Sequence, residues 1–248
     1  MPNNSPAARK NTKTESGEKT AQERTSQALV KWCLALGVLS LVLLPMITLK
    51  LAAWKIRQER NARAAALLVQ TPDKRNFGGP FSLTDHNGNK VTDKTYRGKY
   101  LLVYFGYTFC PDLCPTALQN ITEALDELGE EADKIKVLFI TIDPERDKEE
   151  NLKEYVGAFH PNIVGLTGSE KQIAEVAEKY GVTYSRSENM DEGYYFMEHT
   201  NLVFILDPEG KPVASVDLED VDPADFANAL RRLWSTGTGK NGKSQKTG

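Results

Sequence analysis

An α/β sandwich is the fold class the sequence predicts, and three observations predict it. From about Phe77 onward, short apolar runs rich in β-branched residues alternate with stretches that repeat their apolar residues at helical spacing. The run Leu101 to Phe105 reads as a buried strand and leads within a few residues into Cys110, Cys114 and Pro115, where a proline suits the first turn of a helix. The chain then closes with a hairpin turned by Asp207 to Gly210 and a last helix opened by Pro223. A cysteine pair at the end of the first central strand and the start of the next helix makes the sandwich thioredoxin-like. It carries an N-terminal β-hairpin and is tethered by one transmembrane helix.

Taken in order, segment 1–31 is expected to lack order, because residues 1–28 are rich in Asn, Thr, Ser, Lys and Glu and show no apolar periodicity. Glu15, Glu18 and Glu23 argue against a cleaved organelle-targeting peptide, which is poor in acids. Segment 32–54 reads as the transmembrane helix. Trp32 to Leu49 carries no charge, the apolar character continues to Trp54, and at about 1.5 Å per residue the stretch crosses a bilayer core of about 30 Å. Trp32 and Trp54 suit its two interfaces. A signal segment would be shorter and end at a small-residue cleavage site. Lys50, Lys55, Arg57, Arg60 and Arg63 outnumber Lys19, Arg24 and Lys31, so positive-inside counting would retain the large domain inside.

Segment 55–76 is a charged, Ala-rich stalk and linker, and 77–235 is the folded domain. Phe81 to Val91 alternates around Asn87 and Gly88, which reads as a β-hairpin. Next come the Leu101 strand and a helix over about Pro115 to Leu128, with Leu118, Ile121, Leu125 and Leu128 on one face. Lys136 to Ile142 is a second buried strand, followed by a helix over about Lys148 to Phe159 and a short strand at Ile163 to Leu166. Ser169 caps a helix that runs to Tyr180 and stops at Gly181. Tyr194 to Leu206 reads as one strand, Val213 to Asp217 returns, and a last helix ends near Trp234. Segment 236–248 is Gly-, Ser- and Lys-rich and expected to be disordered.

The net charge of −3 and the lack of interleaved aromatic and basic residues argue against nucleic acid as a partner. Three cysteines, with Cys33 in the apolar run and Cys110 and Cys114 close together, make no secreted disulfide framework. They point to a site. If the second half of the Cys-x-x-x-Cys spacing is helical, both sulfurs project to one side about one turn apart, as a chelate or a dithiol couple. Helix-start amides and the helix dipole favour thiolate there.

A metal site on two thiolates needs a third ligand, and the histidines are His86, His160 and His199. His86 lies in a turn and His160 follows a helix, so surface or capping roles suit both. His199 opens the strand that a thioredoxin-like arrangement lays against the cysteine loop. Two thiolates and an imidazole suit copper, since soft sulfur selects Cu(I) and an added imidazole tolerates Cu(II). Structural zinc usually takes four protein ligands. Met197 would share the face of His199 and pack in the core or touch the metal weakly. Asp143 and Asp147, leaving the second central strand, would support the site or meet a partner and not ligate copper.

These motifs resemble the Sco proteins, copper-handling assembly factors of cytochrome c oxidase, over about Gly78 to Trp234. The residues that carry the resemblance are Gly78 to Phe81, Tyr104 to Pro115, Ile142 to Asp147, Gly165 to Gly168 and Glu198 to Thr200. The resemblance implies copper held by Cys110, Cys114 and His199, and one membrane anchor. It implies delivery of copper to the binuclear centre of oxidase subunit II, loading by a copper-donating chaperone, and a mitochondrial inner-membrane location with the domain in the intermembrane space. A bacterial plasma membrane with a periplasmic domain is the alternative, and a homodimer is compatible. Phe109 stands where the family often has His, Glu198 where it usually has Asp, and Val216 to Val221 replace its usual turn. The same pair also suits a thiol-disulfide oxidoreductase, with Cys110 attacking and Cys114 resolving, that keeps the subunit's cysteines reduced. A thiol peroxidase fits poorly, since Val103 and Tyr107 stand where that group has Pro and Thr or Ser. A tethered scaffold with incidental cysteines fits poorly too.

Overall fold

The computed structural model describes residues 12–69, 77–187 and 195–237, without the side chains of 12–30, 33–36, 38–39, 42, 69 and 236–237. The chain divides into two compact units, Met1–Gln58 and Glu59–Gly248. The first consists of most of helix α1 (Thr12–Val69). Residues 12–31, expected without order, are helical here; their Ala, Glu, Gln and Lys are good helix formers. Pro45 lies inside the helix and lacks an N–H, while the Thr48 hydroxyl donates to its carbonyl (2.9 Å). Trp32, Leu41, Leu44, Leu49 and Trp54 are exposed. Among the described residues no helix is long and apolar enough to cross a membrane, and the expected span at 32–54 includes seven residues whose side chains fall outside that set. Residues 1–11, 70–76 and 238–248, parts of the expected N-terminal segment, linker and tail, also lie outside it.

The second unit holds a seven-stranded mixed sheet of order β2-β1-β5-β4-β3-β8-β9. Strands β1 (Ser82–Asp85) and β2 (Lys90–Thr92) form the expected N-terminal hairpin, with the Asp85 carboxylate accepting the Asn87 and Asn89 amides across the turn. Central strands β3 (Tyr100–Gly106) and β4 (Ile135–Thr141) run parallel in register from Tyr100 opposite Ile135 to Gly106 opposite Thr141. Nearly every residue of both is buried, which explains their continuous apolar runs: a parallel sheet covered on both faces has no polar side. Helices α2 (Leu113–Leu128), α3 (Glu149–Gly157), α4 (Glu170–Tyr180) and α5 (Pro223–Gly237) cover it, and β5 is Ile163–Thr167. Ser169 and Gln172 form a reciprocal capping box at the start of α4, and Gly181 ends it in the left-handed region at φ 66°.

The run Tyr194 to Leu206 is not one strand. Tyr194 lies outside the described residues, and the remainder divides into β7 (Met197–His199) and β8 (Val203–Leu206). Only β8 joins the main sheet, antiparallel to β3; β7 pairs with the unpredicted β6 (Tyr184–Arg186) in a separate two-stranded sheet. The break falls at Thr200 and Asn201, whose polar groups are committed elsewhere. The Thr200 amide donates to Thr183 O (3.1 Å), and Asn201 Oδ1 accepts the Tyr104 hydroxyl (2.9 Å). Strand β9 (Pro212–Val216) then returns along β8.

One buried aspartate ties the ends of β3, β4 and β5 together, the first two through its carboxylate and the third through its carbonyl. Asp147 is fully buried, and its oxygens accept from the Thr108 amide (3.0 Å), the Thr108 hydroxyl (2.6 Å) and the Thr141 hydroxyl (2.6 Å). Its own carbonyl accepts from the Thr167 hydroxyl (2.9 Å). Burial raises the Asp147 pKa and the threonine bonds pull it back. A raised folded value means that this carboxyl's contribution to stability is greatest below its ordinary pKa and falls as pH rises through the folded one. Asp147→Ala strands three donors in the interior and is expected to destabilise the domain by about 3 kcal/mol, read as a lower urea midpoint at unchanged slope.

Candidate metal centre

The candidate site starts with a close approach. An atom in the position of a Cβ on Gly106 would lie 2.8 Å from both Cys114 Sγ and a Phe139 ring carbon, so only glycine ends β3 here without pushing the second cysteine outward. Beyond it, Tyr107 is buried and its carbonyl accepts the Cys110 amide (3.3 Å), which turns the chain toward α2. The helix begins at Leu113, two residues before the proline that sequence placed in its first turn. Cys110 therefore precedes the helix and Cys114 sits within its first turn.

That offset makes the two thiols unequal. The Cys114 amide, one of the unpaired donors of the helix start, points at Cys110 Sγ (3.4 Å). Cys110 is half-buried, and its pKa is driven far below the ordinary thiol value by the Cys114 thiol and by backbone donors at the helix start, against the opposing effect of burial. Cys114 is fully buried, and its pKa is raised by that same partner sulfur and by burial. The expectation that the helix start favours thiolate holds for Cys110 and fails for Cys114. The physical reason is that two thiolates in contact repel, so one sulfur keeps the proton.

His199, at the end of β7, completes the group. Its Nε2 lies 3.6 Å from Cys114 Sγ, and one ligand atom from each of Cys110, Cys114 and His199 falls within 4.8 Å of the others. Its Nδ1 is 3.0 Å from the Thr200 carbonyl. A carbonyl can only accept, so Nδ1 carries the proton in that bond and Nε2 turns its lone pair to the sulfurs. The rings of Tyr104 and Tyr107 stand edge-on to the imidazole, with centroids 6.3 and 6.1 Å away. Among the described residues this is the one cluster of His, Cys, Asp and Glu with the geometry to hold a metal ion.

The other candidates fall where their chemistry suggests. His86 Nδ1 accepts the Gly165 amide (3.0 Å) and His160 Nδ1 accepts the Asn162 amide (3.1 Å), so both are structural. Met197 packs against the core and lines a cleft of about 390 Å³ beside Cys110 and His199. Asp147 fixes Thr108, two residues from Cys110, while Asp143 accepts from Arg146 and Tyr195. Cys33's side chain lies outside the described residues. Sequence reasoning gave no role to Tyr104, Gly106 and Thr108, which it met only as part of the motif carrying the resemblance, and did not single out Asn201. Gly106 directly after an apolar strand was the available signal, since a glycine there implies a close neighbour. Tyr104 inside the same run was another, because a buried hydroxyl needs a partner.

A proton-tunable dithiol and an imidazole at the strand-to-helix turn of a thioredoxin-like sandwich define a site able to hold a soft metal ion or exchange disulfides. The SCO1/SenC family model matches residues 69–235, and the chain belongs to that family. It is 35% identical over 200 residues to the protein sco1 of Schizosaccharomyces pombe, covering 77% of this chain and 74% of that one. To the mitochondrial SCO1 homologue of Homo sapiens it is 43% identical over 137 residues, 54% of this chain and 46% of the human protein. Among solved structures, ScoI of Bradyrhizobium japonicum with copper bound is 43% identical, with TM-score 0.59 over 63% of this chain and 98% of that one. Yeast Sco1 with copper bound is 33% identical, with TM-score 0.61 over 69% and 96%.

Two outcomes follow from the site geometry. Iodoacetamide at pH 6 is expected to modify Cys110 well before Cys114, mapped by peptide mass, because only Cys110 is both accessible and thiolate. Gly106→Ala is expected to push Cys114 away from His199 and make it more reactive to the same reagent.

Proposed function

We propose that the protein binds one copper ion through Cys110 Sγ, Cys114 Sγ and His199 Nε2 and passes it to thiolates of cytochrome c oxidase subunit II while the binuclear copper centre is assembled. The observation that carries this is the convergence of two soft sulfurs and a tautomer-fixed imidazole within 4.8 Å, without a fourth ligand from His, Cys, Asp or Glu among the described residues. That set suits copper better than structural zinc. The solved relatives with copper bound support the same choice. Cys110 supplies a ready thiolate, Cys114 must give up its proton, and His199 comes from a separate hairpin. A three-ligand site at the rim of an apolar cleft lets an incoming thiolate enter before an outgoing one leaves.

The setting proposed is a single-pass tether at 32–54 and a copper-donating chaperone that loads the site. The domain lies in the mitochondrial intermembrane space or, in a bacterium, in the periplasm. Curated relatives include the mitochondrial human protein and an SCO2-like protein of Rickettsia prowazekii, in keeping with either membrane.

The unequal thiols support a second activity of the same pair, reduction of a disulfide in the partner. Cys110 thiolate attacks one partner sulfur and expels the other as thiolate, forming a mixed disulfide. Cys114 then attacks Cys110 Sγ, its proton passing to the departing partner thiolate, so the pair is oxidised by two electrons and the partner disulfide is reduced to one thiolate, released in the first step, and one thiol, released in the second.

Titration of the reduced 248-residue chain with Cu(I) against a chromophoric chelator tests the copper proposal. One ion per chain is expected, with His199→Ala weakening affinity by more than about tenfold and Cys110→Ser abolishing tight binding. Equal affinity in wild type and His199→Ala would remove the histidine from the site. Binding near pH 7 is expected to release about one proton per ion, from Cys114, so affinity falls on acidification. Release of two protons would mean that Cys110 is not already a thiolate. For the reductase activity, His199→Ala is expected to retain turnover on a disulfide substrate that Cys110→Ser lacks.

A further inference from the structure

We infer that Tyr195 is a positioning residue: held between the guanidinium groups of Arg146 and Arg186 and anchored on Asp143, it keeps the β6–β7 hairpin placed so that His199 stays over the cysteines. The inference rests on the ligand role proposed for His199 and adds the device that fixes it.

The hairpin needs such a device. Strands β6 and β7 pair through only three residue pairs, Tyr184 with His199, Ser185 with Glu198 and Arg186 with Met197, and neither joins the seven-stranded sheet. A lone two-stranded hairpin is marginal in water. At its His199 end it is tied by the Thr200 amide to Thr183 O and the Thr183 amide to Thr200 Oγ1 (3.2 Å), with Tyr184 and Met197 packed against the core. At the opposite end, among the described residues, the ties to the rest of the domain run through Tyr195 and through Arg186, which stacks on it.

There the contacts converge. The guanidinium carbon of Arg146 lies 3.6 Å from the Tyr195 ring centroid and that of Arg186 lies 3.7 Å from it. The Tyr195 hydroxyl donates to Asp143 Oδ1 (2.9 Å), and Arg146 Nη1 donates to the Tyr195 carbonyl (3.1 Å). Arg146 also pairs with Asp143, while Arg186 donates to Glu145 Oε2 (2.7 Å). The Asp143 side chain is 2% exposed and that of Arg146 18%, so this end of the stack is largely shielded from water, where cation–π attraction is strongest. The Arg186–Glu145 pair is exposed and adds little by itself.

Arg146 reaches the other half of the site as well. Its guanidinium lies 4.7 Å from the ring of Phe109, the neighbour of Cys110, and 5.8 Å from that of Tyr107. Among the described residues its buried Nη2 meets no hydrogen-bond acceptor, while its faces cover three aromatic rings. One side chain thus spans the cysteine loop and the histidine hairpin.

Two measurements on the full chain test the inference. In the copper-free protein, Tyr195→Ala is expected to speed amide exchange at Ser187 and Thr200 by about tenfold or more while β3 and β4 stay protected. Unchanged exchange at those amides overturns it, whatever copper does. With Cu(I) as probe, Tyr195→Ala is expected to weaken affinity about 10-fold to 100-fold, the range for an outer partner of a metal ligand, with Tyr195→Phe recovering most of the loss. The Tyr195→Ala, His199→Ala pair is expected to bind no more weakly than His199→Ala alone, because Tyr195 acts through the histidine; additive losses overturn the inference. If His199→Ala binds like wild type, the ligand role fails and the exchange data alone decide whether the clamp exists. Arg186→Ala, which removes an exposed side of the stack, gives the same exchange test should Tyr195→Ala fold poorly.

Discussion

Burying the Asp147 carboxylate is unfavourable unless donors surround it, and the donors that do so come from the ends of two different strands. Thr108 follows β3 and Thr141 ends β4, while the Asp147 carbonyl takes the hydroxyl of Thr167 at the end of β5. The loop that carries Cys110 is thereby fixed by charge-assisted bonds two residues upstream of the sulfur. Loops are usually the mobile part of a sandwich, and this one must hold a thiolate against a second sulfur. A carboxylate below the loop, out of reach of the metal-binding cluster, gives it rigidity without adding a hard oxygen ligand to a soft site.

Rigidity there makes the inequality of the thiols matter. Both sulfurs belong to one cluster with His199, but the helix starts between them, so its free amides serve the first and its body buries the second. One sulfur is ready to bind or attack at once, and the other acts only after losing a proton. The same inequality suits both activities proposed above, metal capture and disulfide exchange, and only the first of them needs the imidazole.

Much of this was legible in the sequence because it depends on local pattern. The parallel strands announce themselves as unbroken apolar runs, Ser169 as a helix cap, and the Cys110–Cys114 spacing as a pair that could serve as a chelate or a dithiol couple. What the sequence hid was non-local. The division of 197–206 into β7 and β8 follows from Asn201 meeting Tyr104, 97 positions earlier, and the role of Asp147 follows from Thr108, 39 positions earlier. The four polar residues Glu198 to Asn201, which interrupt the apolar run, were the local sign of a break, but a three-residue strand has too few positions to show that it changes sheets.

That change of sheet has a functional consequence. Had Met197 to Leu206 formed one strand along β3, His199 would be locked into the ladder that holds the cysteine strand, and all three ligands would move as one body. Placing His199 on its own hairpin, joined to β8 through Thr200 and Asn201, separates the imidazole's freedom from that of the sulfurs. For the copper delivery proposed above, one ligand that can withdraw while two stay fixed is an advantage, because loss of the third donor lowers affinity without unfolding anything. Under the roles proposed above, the contacts on Tyr195 would set how readily the imidazole withdraws, since their strength comes from several reversible contacts and not from a covalent or ladder constraint.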